Sequence, residues 1–214
     1  IIRGVIDQSV TADMRISGSI AATRSSISVA TSNGLFLHHP SDRIHAQFRV
    51  YASNGLSTGF GEHFASSLDP VRIDQTVRTA IDKCAAWRDP VEIEPSRVTT
   101  VFEPRALADL LAPFIQQFSL RAIEEDRSFL RKLDGSSFVG TKMFRENVNL
   151  RSDPAAQGVI SMPFTLEGTS VGAETWIRNG VIEQVAVDRY TAAQRNISAT
   201  APPTNLIMDG GEQS

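Results

Sequence analysis

The chain has 214 residues, 41% hydrophobic and 21% charged, which is enough apolar material for one substantial core or two small ones. Its formal net charge is −3, with acidic and basic residues interleaved and no basic run to neutralise a phosphate backbone, so nucleic acid is not an expected partner. No apolar run approaches the roughly 18 residues of a membrane span, and no charged-then-apolar leader opens the sequence; a cytoplasmic protein is expected.

Residues 1–24 have weak periodicity, and Ile1-Ile2 with Val5-Ile6 read as the start of a strand or the end of a preceding domain. Residues 25–31 and 35–39 flank Ser32-Asn33-Gly34, a hairpin signal because the turn favours residues that tolerate positive φ. Ile44, Ala46, Phe48, Val50 and Ala52 alternate with His45, Gln47, Arg49 and Tyr51, the pattern of a strand with one buried face. Together these predict an antiparallel sheet of about three or four strands. Gly55-Leu56-Ser57-Thr58-Gly59 formally matches the G-x-S-x-G nucleophile elbow. That elbow requires a helix directly after the serine and a histidine further along the chain. Phe60-Gly61-Glu62-His63 reads as loop or strand and no histidine follows His63, so a glycine-rich sheet connection is expected instead of a serine hydrolase.

Ile73, Val77, Ala80, Ile81 and Cys84 fall at helical spacing and predict an amphipathic helix over 74–87, ended by Asp89-Pro90. Cys84, the only cysteine, excludes an internal disulfide and a CxxC motif and is expected to be a buried structural thiol. Residues 97–102 read as a strand, and Glu103-Pro104 as a helix start with proline in the first turn. Leu107, Leu110, Leu111, Phe114, Ile115 and Phe118 form an apolar stripe that Pro113 should kink or divide. Residues 119–132 are expected to continue as a helix closed by Asp134-Gly135, with Glu124, Glu125 and Asp126 on a solvated face. Residues 136–163 read as short strands and loops.

The most informative stretch comes last. Residues 173–178 and 181–188 flank Asn179-Gly180, a pair suited to a two-residue hairpin in which both central residues have positive φ. In that register Ile177 faces Ile182, Ala173 faces Ala186, and Trp176 and Val185 point to the other side, so both faces should be covered.

Pro163-Phe164, Glu167-Gly168, the Asn179-Gly180 hairpin, Asp188-Arg189-Tyr190-Thr191-Ala192 and Pro203-Thr204-Asn205-Leu206 stand in an order that resembles the C-terminal domain of the TldD/PmbA (TldE) family. Members were first described as modulators of DNA gyrase and later as peptidases. Val101-Phe102-Glu103-Pro104, Leu110-Leu111 and Arg127-Ser128-Phe129-Leu130 extend the likeness upstream, as do Asn33-Gly34 and residues 57–61. The resemblance implies an α+β fold, antiparallel-sheet-rich with a few packed helices. It makes residues 1–96 the end of an N-terminal α/β region and 97–214 the start of the C-terminal domain, in a partial chain that relatives exceed at both ends.

The zinc-bearing branch of that family carries H-E-x-x-x-H on the helix after its central strand. The corresponding segment here, Pro113-Phe114-Ile115-Gln116-Gln117-Phe118-Ser119-Leu120-Arg121, has no histidine; His38, His39, His45 and His63 all precede it. The likeness is therefore to the PmbA/TldE-like branch, with no metal and no catalytic residue in this chain. Zinc would reside in a TldD-like partner subunit of a peptidase system acting on peptides or unfolded proteins, and the alternative partner is a second copy in a homodimer. Glu167, Asp188, Arg189 and Tyr190 are the residues the resemblance singles out for substrate contact; their structural alternative is a buried Arg-Asp pair or a strand-end cap. Edge strands near the Asn179-Gly180 hairpin are the expected place for an extended peptide. Rival expectations are a divergent stand-alone peptide or amide hydrolase and a non-catalytic binding or structural protein. Thr165-Leu166 and Ser198-Ala199-Thr200-Ala201-Pro202 depart from the family pattern and point to a divergent member.

Overall fold

Ile2, Val5, Ile6 and Ser9 fall three and four residues apart, the spacing of one helix face. In the computed structural model, which describes residues 2–11, 13–53, 55–87 and 91–209, they lie on helix α1 (Ile2–Thr11), with Val5 and Ser9 buried. Of the two readings of the paired isoleucine and valine-isoleucine steps, the strand is overturned: the segment is a helix, because the apolar repeat there has the longer period.

Strands β1 (Met14–Ala30) and β2 (Phe36–Ala52) are each 17 residues long and meet at a turn where Gly34 has φ +85°. They absorb residues 14–24 and the gap expected between 39 and 44. Pro40 fits inside β2 because strand β3 (Thr58–Ala65) pairs with β2 only from Ile44 to Tyr51, leaving the proline on an unpaired margin where its missing N–H costs nothing. The sheet order is β1-β2-β3.

Helix α2 (Pro70–Ala86) begins where the Asp69 carboxylate accepts the Val71 N–H at 2.9 Å, with Pro70 in the first turn. It buries Ile73, Val77, Ala80 and Cys84 as the spacing predicts, with Thr76 buried beside them and Ile81 half-buried. The helix backbone lies directly on β3. A Cβ at Gly59 would stand 1.9 Å from the Ala80 carbonyl oxygen, and one at Gly61 2.2 Å from that of Thr76. Ser57 is fully buried and its hydroxyl donates to the Trp87 carbonyl at 3.0 Å, while the Cys84 thiol donates to the Ser57 carbonyl at 3.4 Å. The elbow-like sequence is therefore sheet-to-helix packing. Asp89-Pro90, expected to end α2, lie outside the described residues.

Residues 97–102 form no strand: 91–103 are irregular and exposed, Val101 and Phe102 included, and no strand among the described residues pairs with them. Helix α3 (Pro104–Leu111) starts at its proline as expected, and Pro113 turns the chain into a 3-10 helix over Ala112–Gln117. Helix α4 (Leu120–Glu124) stops well short of residue 132, because Asp126 adopts φ +59° and the Arg127 N–H folds back onto the Ala122 carbonyl at 2.8 Å. Asp134-Gly135 closes a tight turn, with Gly135 at φ +86°, and not a helix. The acidic cluster is ion-paired: Glu124 with Arg195 at 2.7 Å, Glu125 with Arg121 at 2.8 Å and Asp126 with Arg131 at 3.2 Å.

The second sheet has order β6-β5-β4-β7, from β4 (Leu150–Ser152), β5 (Glu174–Arg178), β6 (Val181–Ile182) and β7 (Ile207–Met208). Asn179 and Gly180 have φ +49° and +77°, and Ile177 stands opposite Ile182, the expected hairpin. The expected Ala173–Ala186 pairing is not made. The Gln184 amide occupies that ground by donating to the Glu174 carboxylate at 2.6 Å and the Thr175 carbonyl at 3.2 Å. Ala186 turns away to donate to the Phe118 carbonyl at 2.8 Å. Helix α5 (Arg189–Arg195) follows. Trp176, Phe118, Leu130, Leu150, Ile177 and Ile182 form the core, so both faces of the hairpin are covered.

The chain clusters into two compact units, Ile1–Ser26 with Pro40–Val98 and Ile27–His39 with Thr99–Ser214. Among the described residues no helix is long and apolar enough to cross a membrane.

Candidate functional site

Asp188 has an extended conformation and caps α5, its carboxylate accepting the Thr191 N–H at 2.6 Å. That backbone donor holds the Asp188 carboxyl below its ordinary value, against desolvation and with help from the Arg121 charge. Arg189 reaches back to the turn before β5, where its Nη1 donates to the Glu167 carbonyl at 3.1 Å. The Glu167 carboxylate itself is exposed. The Arg–Asp pairing considered from sequence is replaced by this clamp on a backbone carbonyl and by the helix cap. Gly168, at φ +77°, completes the turn; a Cβ there would stand 2.6 Å from a Leu35 methyl, so the hairpin tip seats on this glycine.

Tyr190 is 63% exposed, and its hydroxyl accepts from the Gln194 amide at 2.7 Å. The Arg121 guanidinium lies 5.8 Å from the Tyr190 ring centroid and donates to Glu125, which Arg127 also holds. Arg121 carries no motif and is distant in sequence, so only the fold reveals it. The structure thus brings all four predicted residues to one corner of the second unit, and each has a structural partner there.

Pro203-Thr204-Asn205-Leu206 proves to be a staple. Asn205 is buried, accepts the Asp153 N–H at 3.0 Å and donates to the Asp153 carbonyl at 2.7 Å, and Thr204 donates to the Met162 carbonyl at 2.9 Å. Beside it the buried Trp176 indole donates to Ser152 at 2.9 Å.

The four histidines are dispersed. His38 bonds Ser28 at 2.8 Å, His39 meets the Phe164 ring edge-on, and His45 bonds Glu62 at 2.7 Å. His63 pairs with Ala46, next along the strand from His45, so the two imidazoles point to opposite faces. Among the described residues no three His, Cys, Asp or Glu side chains are grouped to hold a metal. Residues 104–131 contain neither imidazole nor thiol, and Asp109, Glu124, Glu125 and Asp126 face arginines. This segment does not fit a catalytic zinc.

The outer edge of β6 is closed, because the Ile182 N–H donates to Thr141 at 3.1 Å and the Gly140 N–H donates to Ile182 at 2.7 Å. The expectation of an open edge at the Asn-Gly hairpin is therefore corrected. Among the described residues no strand pairs with the outer side of β7, and beside it runs an apolar groove of about 340 Å³ lined by Leu107, Leu111, Ile115, Leu150, Leu206 and Met208.

Fold and site define an antiparallel α+β protein whose second unit fastens backbone to backbone with buried side-chain amides and hydroxyls. Residues 95–214, more than half of the chain, match the PmbA/TldA metallopeptidase C-terminal domain, and the chain belongs to the PmbA/TldD family. TldE from Thermococcus kodakarensis superposes with a TM-score of 0.78 at 18% identity, over 100% of this chain and 51% of that one. A protein from Bacteroides thetaiotaomicron described as a modulator of DNA gyrase gives 0.77 at 15% identity, over 99% and 51%. One of the same description from Thermotoga maritima gives 0.71 at 16% identity, over 100% and 53%. The chain spans about half the length of these solved relatives. No curated protein sequence matches it.

Proposed function

We propose that this chain is a component, without a zinc site of its own, of a TldD-type metallopeptidase system that acts on peptides or unfolded proteins. The observation that carries the reading is the placement of its four histidines between positions 38 and 63, with none in the span that matches the family's C-terminal domain. The zinc-bearing branch puts its metal-binding histidines on the helix after the central strand, where this chain has Pro113 through Arg121. A subunit of this kind contributes walls and grip, and leaves metal chemistry to a TldD-like partner. An extended peptide would add to the β7 edge through backbone hydrogen bonds and drop apolar side chains into the adjoining groove, a sequence-tolerant mode. Glu167, Asp188, Arg189 and Tyr190 stand as peptide contacts, Tyr190 through its exposed ring.

The test is co-expression with a zinc-bearing family member. The expected result is a stable complex that cleaves an unfolded peptide, with zinc in the partner, and neither activity nor stoichiometric zinc in this chain alone. Zinc bound at one equivalent together with peptidase activity in the isolated chain would overturn the reading.

A further inference from the structure

One side of β2 is packed: Ile44, Ala46, Phe48 and Val50 are buried in the first unit's core. The alternate residues therefore look the other way, Arg43, His45, Gln47, Arg49 and Tyr51 from β2, joined by Phe60, Glu62 and Phe64 from β3 and Arg15, Ser17 and Ser19 from β1. The two helices of this unit, α1 and α2, pack on the buried side.

Its charges are arranged unequally. Among the described residues of β1, β2 and β3 that point this way Glu62 is the one carboxylate; its side chain is 6% exposed, and His45 Nε2 lies 2.7 Å from Glu62 Oε1. The imidazole in turn stacks on Phe64 with ring centroids 4.2 Å apart. Arg15, Arg43 and Arg49 are exposed, and none of them is ion-paired with a described carboxylate. Arg49 lies 5.7 Å from the Phe60 centroid and helps line a hollow of about 220 Å³ with Ser17, Gln47, Tyr51 and Phe60. Guanidinium, hydroxyls and an amide around an aromatic floor suit a carboxylate carried on a short methylene stem.

We propose that this arginine-bearing sheet face binds acidic, extended peptide segments, with Arg49 taking a carboxylate in the hollow and Arg43 a second one further along β2. The spacing fits: Arg43 and Arg49 are about six residues apart on one strand, or about 20 Å, the span of a similar length of extended peptide laid along it. Three arginines in a chain of net charge −3 provide little of the counterion release on which nucleic-acid binding depends. The choice of a peptide rests also on the proposed function.

The experiment is fluorescence anisotropy with a short fluorescein-labelled glutamate-rich peptide and its glutamine counterpart. The glutamate peptide should bind at least about tenfold more tightly, a preference that shrinks as salt shortens the Debye length. Arg49→Glu should remove that preference, whereas Arg78→Glu, on the exposed side of α2, makes the same change in net charge and should leave it intact. Equal binding of the two peptides, or equal loss in both variants, would overturn the assignment. So would tighter binding of oligothymidylate than of the glutamate peptide. A chain that ignores the acidic peptide yet still assembles with the zinc-bearing partner defeats only this inference; one that binds the peptide but never assembles defeats only the functional reading.

Discussion

The side chain of Asn205 holds the backbone of Asp153 from both sides, Nδ2 donating to its carbonyl at 2.7 Å and Oδ1 accepting its N–H at 3.0 Å. The amide thereby imitates a neighbouring strand at the point where β4 ends. It also explains why an asparagine, one donor and one acceptor on a short stem, stands in the Pro-Thr-Asn-Leu segment. Asn205→Ala leaves the Asp153 N–H without this acceptor and its carbonyl with the Ala156 N–H at 3.2 Å, in a half-buried place, and should cost about 2–3 kcal/mol. Thr204→Ala, which removes one hydroxyl donor, should cost about 1 kcal/mol. Urea denaturation of the two variants measures the difference, and equal small losses would show that the staple contributes little.

Gly180 is required twice over. Its φ of +77° disfavours any Cβ, and a Cβ there would stand 2.2 Å from the Phe144 carbonyl oxygen and 2.6 Å from that of Arg145. Its own carbonyl accepts the Met143 and Phe144 N–H groups at 2.9 and 3.0 Å, so the turn cannot move away freely. Gly180→Ala should therefore cost about 3 kcal/mol or more, while Asn179→Gly changes stability by about 1 kcal/mol or less. Thermal unfolding separates these outcomes; a Gly180→Ala protein as stable as its parent would mean that the loop at 144–145 is not held against the hairpin.

Ser57 and Gly59 give opposite tests of the G-x-S-x-G sequence. If the serine is structural, Ser57→Ala loses the hydroxyl's bond to the Trp87 carbonyl, about 1 kcal/mol, and a fluorophosphonate probe labels neither protein. Gly59→Ala should be far worse, because the added methyl would meet the Ala80 carbonyl oxygen at 1.9 Å and must push α2 off the sheet. Amide exchange in α2 should accelerate strongly in that variant. Labelling of Ser57 by the probe would reverse the reading.

What could be read in advance follows the range of the interactions. The Asn179-Gly180 turn, the Ile177–Ile182 pair and the buried face of α2 depend on neighbours in sequence, and all were legible. The Ala173–Ala186 pairing was not, because Ala186 is claimed by Phe118, far back in the chain. Strand β1 was obscured because its apolar alternation is thin: Met14, Ile16 and Ile20 alternate with Arg15, Ser17 and Ser19, but Gly18 interrupts them and the residues from 21 to 26, where both sides are exposed, are small or polar. The break at Asp126 is a single residue in the left-handed region, which periodicity cannot register. At the candidate site the motif located Asp188, Arg189 and Tyr190. It could not say that Arg189 holds a carbonyl of Glu167 instead of a carboxylate, nor that Arg121 lies over the tyrosine ring.

Asp188 links this corner to pH. The Thr191 N–H, and secondarily the Arg121 charge, hold its carboxyl below the ordinary value of 3.8 in the folded state. A depressed folded-state pKa means that the unfolded chain binds the proton more readily. The cap's contribution is therefore complete above about pH 4 and is lost as pH falls through the folded-state value. Asp188→Asn keeps an oxygen acceptor for the Thr191 N–H but cannot titrate. Urea midpoints for parent and variant at pH 6 and pH 3 should differ accordingly: the variant starts less stable, without the carboxylate's attraction to Arg121 and the α5 N-terminus, and falls less on acidification. Glu125 and Asp134, also held below their ordinary values by Arg121 with Arg127 and by Ser136, titrate in both proteins and set the common part of the fall. Parallel curves for the two proteins would show that the Asp188 cap is not coupled to protonation, and that the short bond to Thr191 does not persist in solution.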